Sequence, residues 1–77
     1  MTLYDFNILD EQDKYQTTWD LGTHIDTAFT DEFSINLYAI DKFFVEVYYD
    51  AKSNKIVDIQ SFKHGHSMEK YSGSINL

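Results

Sequence analysis

The chain contains no cysteine, no proline and no arginine, and only three glycines in 77 residues. Without cysteine, neither a disulfide nor a thiolate-ligated zinc site can staple it together. Without proline, and with so few glycines, it is neither a linker nor a low-complexity tail. It also lacks a long apolar run: nothing approaches the about 20 residues that a membrane helix needs. The start, Met1 to Asp5, carries no basic region of the signal-peptide kind. The expectation is a soluble, cytoplasmic chain with no membrane partner. The length allows one core, so residues 1–77 are expected to form a single small α+β domain.

Basic residues are scarce, and their distribution is uneven. Residues 1–36 hold eight carboxylates against Lys14 alone, whereas residues 37–77 hold five against five lysines. The whole net charge of −7 therefore belongs to the first half. Acidic surfaces repel phosphate backbones, and arginine is the usual tool for bidentate phosphate contacts, so direct nucleic-acid binding is disfavoured. The charge does not imply disorder, because 43% of residues are hydrophobic and 17% aromatic.

The pattern of these residues predicts the elements. Residues 2–9 are ambiguous: Tyr4, Phe6 and Ile8 alternate as in a strand, while Leu3, Phe6 and Leu9 have helical spacing. A helix is expected from Asp10 to Leu21. Asp10 can cap it, Glu11 and Asp13 suit its positive end, Tyr15 and Trp19 form an i,i+4 pair, and Gly22 supplies a left-handed stop. From Thr23 the period changes to two. Strands are expected over 23–29, 33–40, 43–49 and 55–62, separated by the polar turns 30–32, 41–42 and 50–54, with Asn54 able to turn left-handed. Short turns between successive strands imply an antiparallel meander. The predicted fold is thus an N-terminal helix packed on a four-stranded antiparallel meander sheet. A short C-terminal helical turn follows, begun by Ser67 and ended by Gly73.

Each strand has one clearly apolar face and one that is mixed but aromatic. Phe43, Val45, Val47 and Tyr49 alternate with Phe44, Glu46 and Tyr48. Phe33, Ile35, Leu37 and Ala39 alternate with Tyr38 and Ile40 among others. One helix of about 11 residues, about 16 Å long, can cover part of one sheet face and not both. The second face then needs the terminal segments, another copy or a partner. The pairing of residues 43–49 with 55–62 is left open between Val47 opposite Val57 and a one-residue slip that sets Tyr48 there.

The chemistry-bearing residues form no convincing catalytic or cofactor set. His64 and His66, with Glu69 nearby, offer two imidazoles, but a structural zinc site wants four ligands; no metal and no cofactor are expected. His24 and Asp26 share a strand face by spacing and read as a surface pair. No serine has the context of a nucleophile, and there is no phosphate-binding glycine loop. The stretch Lys42 to Tyr48 invites comparison with the aromatic strand of RNA-recognition modules, yet the glycines and basic residues are missing and Glu46 interrupts the aromatic face.

The function expected is a non-enzymatic protein–protein interaction module. It would be homodimeric through its aromatic sheet face or edge, with Tyr38, Ile40, Phe44, Tyr48 and Phe62 as the candidate interface. The alternative is an acidic inhibitor or nucleic-acid mimic that seats Asp10, Glu11, Asp13, Asp20 and Asp26 in a basic groove of a partner. A third reading is a small apolar ligand held between helix and sheet, against Tyr15, Trp19 and the valine face.

Overall fold

A computed structural model describes residues 1–63; the expected C-terminal turn and the pair His64 and His66 lie outside the described residues. The ambiguity at the N-terminus is resolved as a short helix, α1 (Leu3–Asn7). Its determinant is a reciprocal cap. Thr2 Oγ1 accepts from the Asp5 amide at 3.1 Å, and Asp5 Oδ2 accepts from the Thr2 amide at 3.2 Å. Two orphan donors of the first turn are thereby satisfied. Phe6 is fully buried, Leu3 and Leu9 are half-buried, and Tyr4 and Ile8 face solvent, as the helical spacing requires.

The second helix, α2 (Glu11–Leu21), begins where the acidic pattern predicts. Asp10 caps it by accepting from the Asp13 amide at 2.8 Å. Thr18 faces inward with no accessible surface, and its hydroxyl donates to the Lys14 carbonyl at 2.8 Å, so no polar group is orphaned. Gly22 ends the helix, but the expected left-handed stop does not occur: its φ is −76° with ψ 142°, ordinary extended backbone. The glycine is there for space. A Cβ would stand 2.5 Å from the Thr18 carbonyl oxygen and 3.3 Å from Tyr38 Cβ.

The strands β1 (Thr23–Phe29), β2 (Phe33–Ile40), β3 (Phe43–Asp50) and β4 (Ile56–Phe62) form one antiparallel sheet in sequential order. Asp41 and Asn54 adopt left-handed backbone, φ 51° and 62°, at the two later turns. Asp50 braces the last turn by accepting from the Ser53 amide and hydroxyl, which holds its carboxyl below the usual carboxylate range. Each outer strand carries a bulge. Ile25 is skipped between His24 and Asp26, and Val57 is skipped opposite Tyr48 and Tyr49. The β3–β4 register sets Val47 against Ile59 and Tyr48 against Asp58. It matches neither pairing anticipated from the sequence: the strands are offset by two residues from the Val47–Val57 pairing, which keeps Val47 on the face of Ile59, and the bulge takes Val57 out of the ladder altogether.

The two-residue turn at Asp41 and Lys42 pairs Ile40 with Phe43. Counting back from that pair, every even residue of β2 shares a face with an odd residue of β3. The best apolar row of β2 (Ile35, Leu37) and that of β3 (Val45, Val47) therefore point to opposite sides of the sheet. Both helices pack on the β3 side. The core there is Phe6, Ile40, Phe43, Val45 and Val47, with Tyr15, Tyr38 and Ile59 against it. The Phe6 and Phe43 rings lie 5.4 Å apart, and the Ser61 hydroxyl donates to Asn7 Oδ1, tying α1 to β4. Full burial of one such phenylalanine contributes about 1.5–3 kcal/mol. Among the described residues, no helix is long and apolar enough to cross a membrane.

Candidate functional site

The other face of the sheet has no described helix over it. Its cross-strand rows follow from the register: Thr23, Ala39, Phe44 and Phe62; then Asp26, Leu37, Glu46 and Gln60; then Ala28, Ile35, Tyr48 and Asp58; then Phe33 with Asp50. Two aromatic pairs organise it. Phe44 and Phe62 stack with centroids 5.8 Å apart, and Phe33 meets Tyr48 edge-on, also at 5.8 Å. Such pairs stabilise beyond simple area burial. Between them Ile35 and Leu37 are 3% and 0% exposed. A groove of about 580 Å³ runs along the β3–β4 half, lined by Phe33, Glu46, Tyr48, Asp58, Gln60 and Phe62 among others.

Carboxylates punctuate this surface. Glu46 is 2% exposed and accepts from the Tyr48 hydroxyl at 3.2 Å. Asp58 is exposed and accepts from the Ile59 amide and from Gln60 Nε2, each at 2.8 Å. Asp26, half-buried on the opposite edge strand, accepts from the Thr27 amide at 2.8 Å. No described position on this face is a lysine or histidine.

The five expected interface residues do not come together. Phe44, Tyr48 and Phe62 share the face opposite the described helices, but Tyr38 and Ile40 are on the helix-covered one, and Ile40 is 1% exposed. The odd–even exchange across the Asp41–Lys42 turn is the reason. It also brings in Phe33, Ile35 and Leu37, which the strand-by-strand reading assigned to an ordinary apolar side. The length of that turn was the signal that could have found them.

The acidic surface divides in the same way. Glu11, Asp13 and Asp20 are exposed on α2 with Asp10 at its cap, whereas Asp26 is half-buried on the far side of the sheet. His24 and Asp26 do not share a face, because the Ile25 bulge lies between them. His24 instead packs its ring on Tyr38 at 5.5 Å and brings Nε2 to 2.9 Å from Thr27 Oγ1. That hydroxyl directs its own proton to Asn36 Oδ1 at 2.7 Å. His24 must then donate to the hydroxyl, the reverse of a base that activates a nucleophile.

On the covered face Tyr15 stacks on Trp19, and Trp19 meets Tyr38 edge-on. Burial pushes both tyrosine phenols up, helped at Tyr15 by Glu11 and at Tyr38 by Tyr49. Val45 and Val47 have no accessible surface, so the valine face is closed to a ligand arriving from solvent. Among the described residues, no group of three or more His, Asp or Glu side chains could hold a metal ion. No protein-family model matches the chain, and neither a curated protein nor a solved structure resembles it significantly.

Proposed function

We propose that the chain is a non-enzymatic protein-interaction module that docks a partner protein through the half-buried aromatic rings on the sheet face opposite its helices. The observation that carries this reading is the placement of both helices on one face while the other holds two aromatic pairs around Ile35 and Leu37. Aromatic side chains dominate the energetics of protein interfaces. A heterologous partner is placed ahead of the second copy expected from the sequence. Face-to-face self-docking would bring the Asp26 and Asp58 carboxylates of both copies into one interface to which no described position of the face adds a lysine or histidine. Edge pairing would have to pass the bulges at Ile25 and Val57.

The test is site-specific photo-crosslinking in cells. A photoreactive residue at Phe44 should trap a different protein, and the adduct should disappear when Phe62→Asp is added. The same probe at Tyr4, 73% exposed on α1, should trap none. Equal adducts from both positions, or none from position 44, would overturn the reading.

A second reading rests on α2, where Glu11, Asp13 and Asp20, with Asp10 at the cap, are all exposed. These acids could enter a basic groove on another protein, and complementary charge would speed the encounter. Charge reversal at Asp13 and Asp20 would then abolish partner capture while leaving the position-44 adduct intact.

A further inference from the structure

Resting on the reading that α2 meets a basic partner, we infer that Trp19 is the platform on which an arginine of that partner stacks, with Asp20 as its counter-ion. Trp19 is the single tryptophan of the chain and is 43% exposed on α2. Its ring is held from two sides: Tyr15 stacks on it at 6.4 Å, and it meets Tyr38 edge-on at 5.7 Å. A ring fixed before binding supplies contact area with little loss of conformational freedom. Beside it on the helix surface, Gln16 Nε2 donates to Asp20 Oδ1 at 3.0 Å. That bond orients the carboxylate and leaves Oδ2 without a hydrogen bond among the described residues. Gln16, Trp19 and Asp20 are all exposed, so the strip they form is accessible from solvent.

Asp20 is misplaced for the helix itself. A carboxylate near a helix C-terminus opposes the dipole, and α2 has no basic residue in its last turn to offset it. An arriving cation removes that conflict. Lys14, the one lysine of residues 1–36, cannot supply it from within. Its spacing from Trp19 and Asp20 is longer than the three or four residues that make helix neighbours. A guanidinium fits both halves of the strip. Its plane stacks on the indole while its N–H groups fork to the carboxylate, which an ammonium cannot do. The eight carboxylates of residues 1–36 steer a basic segment toward this helix. A second copy is excluded as the donor, because the chain contains no arginine. Nucleic acid and anionic membranes are repelled by the net charge of −7.

The experiment titrates the isotope-labelled full chain with three short peptides, in which leucine alternates with arginine, with lysine or with citrulline, the uncharged isostere of arginine. Tryptophan emission and NMR are read together, since Trp19 is the only tryptophan. The arginine peptide should change the emission saturably and shift the Trp19 indole N–H and the Gln16 side-chain amide. The lysine peptide should bind more weakly, and the citrulline peptide should leave both signals unmoved. Affinity for the arginine peptide should fall as NaCl rises from about 50 to about 300 mM, where screening shortens the Debye length. Asp20→Asn keeps an oxygen for Gln16 and removes only the charge. It should weaken binding about 2- to 5-fold, as expected for one exposed charge pair. Trp19→Leu keeps an apolar side chain and removes the ring. Read at the Gln16 amide, it should weaken binding by a similar factor of about 2 to 5, the size of an exposed cation–π contact.

Equal binding of the citrulline or the lysine peptide, or unchanged affinity in both variants, would overturn the inference. Shifts at Asp10 and Asp13 with Trp19 silent would overturn it and leave the α2 reading standing. No response on α2, including shifts confined to Phe44, Tyr48 and Phe62, would overturn both.

Discussion

Gly22 shows how a residue can be legible in the sequence for the wrong reason. Its position after a helical run predicts a stop, and it is one, yet the backbone is not left-handed and the requirement is room beside Thr18 and Tyr38. Gly22→Ala should therefore cost about 1–3 kcal/mol, the usual penalty for overpacking, read as a lower urea midpoint. The His24–Asp26 pair fails for a related reason. Spacing of two implies a shared face only while the ladder is unbroken, and the Ile25 bulge carries no strong residue signature. Tyr38 supplies a pH test. Its phenol is held neutral by burial, so its folded pKa lies above the unfolded value of about 10. The stability it contributes is fully present below pH 10 and is lost as pH rises through the raised folded value. Tyr38→Phe should flatten that alkaline decline in denaturation midpoints measured between about pH 9 and 12.

At the scale of elements, the strands and α2 were plain because each repeats its period several times and is bounded by turn chemistry. The α1 helix was not, since five residues hold too few repeats to separate a period of two from 3.6. Its local signal is the Thr2–Asp5 cap rather than its apolar spacing. The two contributions can be separated. Phe6→Ala removes a fully buried ring from the contact with Phe43 and should cost about 3–5 kcal/mol, enough to unfold a marginal domain. Thr2→Ala removes only the cap and should cost about 0.5–2 kcal/mol. Amide exchange should find α1 frayed in Thr2→Ala while the β2–β3 amides stay protected, and thermal melts should rank the two variants in that order. Tyr38, Ile40, Phe44, Tyr48 and Phe62 are all aromatic or apolar strand residues. What strand-by-strand reading could not assign was the side, which depends on how neighbouring strands are joined.

For the whole molecule, the two bulges interrupt the outer strands of a four-stranded sheet, the kind of irregularity that discourages edge-to-edge pairing. Deleting Val57 should straighten β4 and present an unbroken row of backbone donors and acceptors. Sedimentation velocity should then show stronger concentration-dependent association than in the parent chain; unchanged association would remove this role from the bulge. The Asp41–Lys42 turn has a wider consequence. Its length decides which residues of β2 and β3 are neighbours across the ladder, whatever the identities of the two turn residues. Lengthening the loop by one residue, with no other change, would bring Ile35 and Leu37 to the same side as Val45 and Val47. Ser34, Asn36 and Glu46 would gather on the reverse. The chain thus stands one insertion away, in evolutionary distance, from a sheet that gathers the aliphatic rows of β2 and β3 on one side and leaves a mixed polar and aromatic reverse. Drift by substitution at positions 41 and 42 leaves this division of side chains between the faces in place, whereas a single codon gained or lost there would undo it.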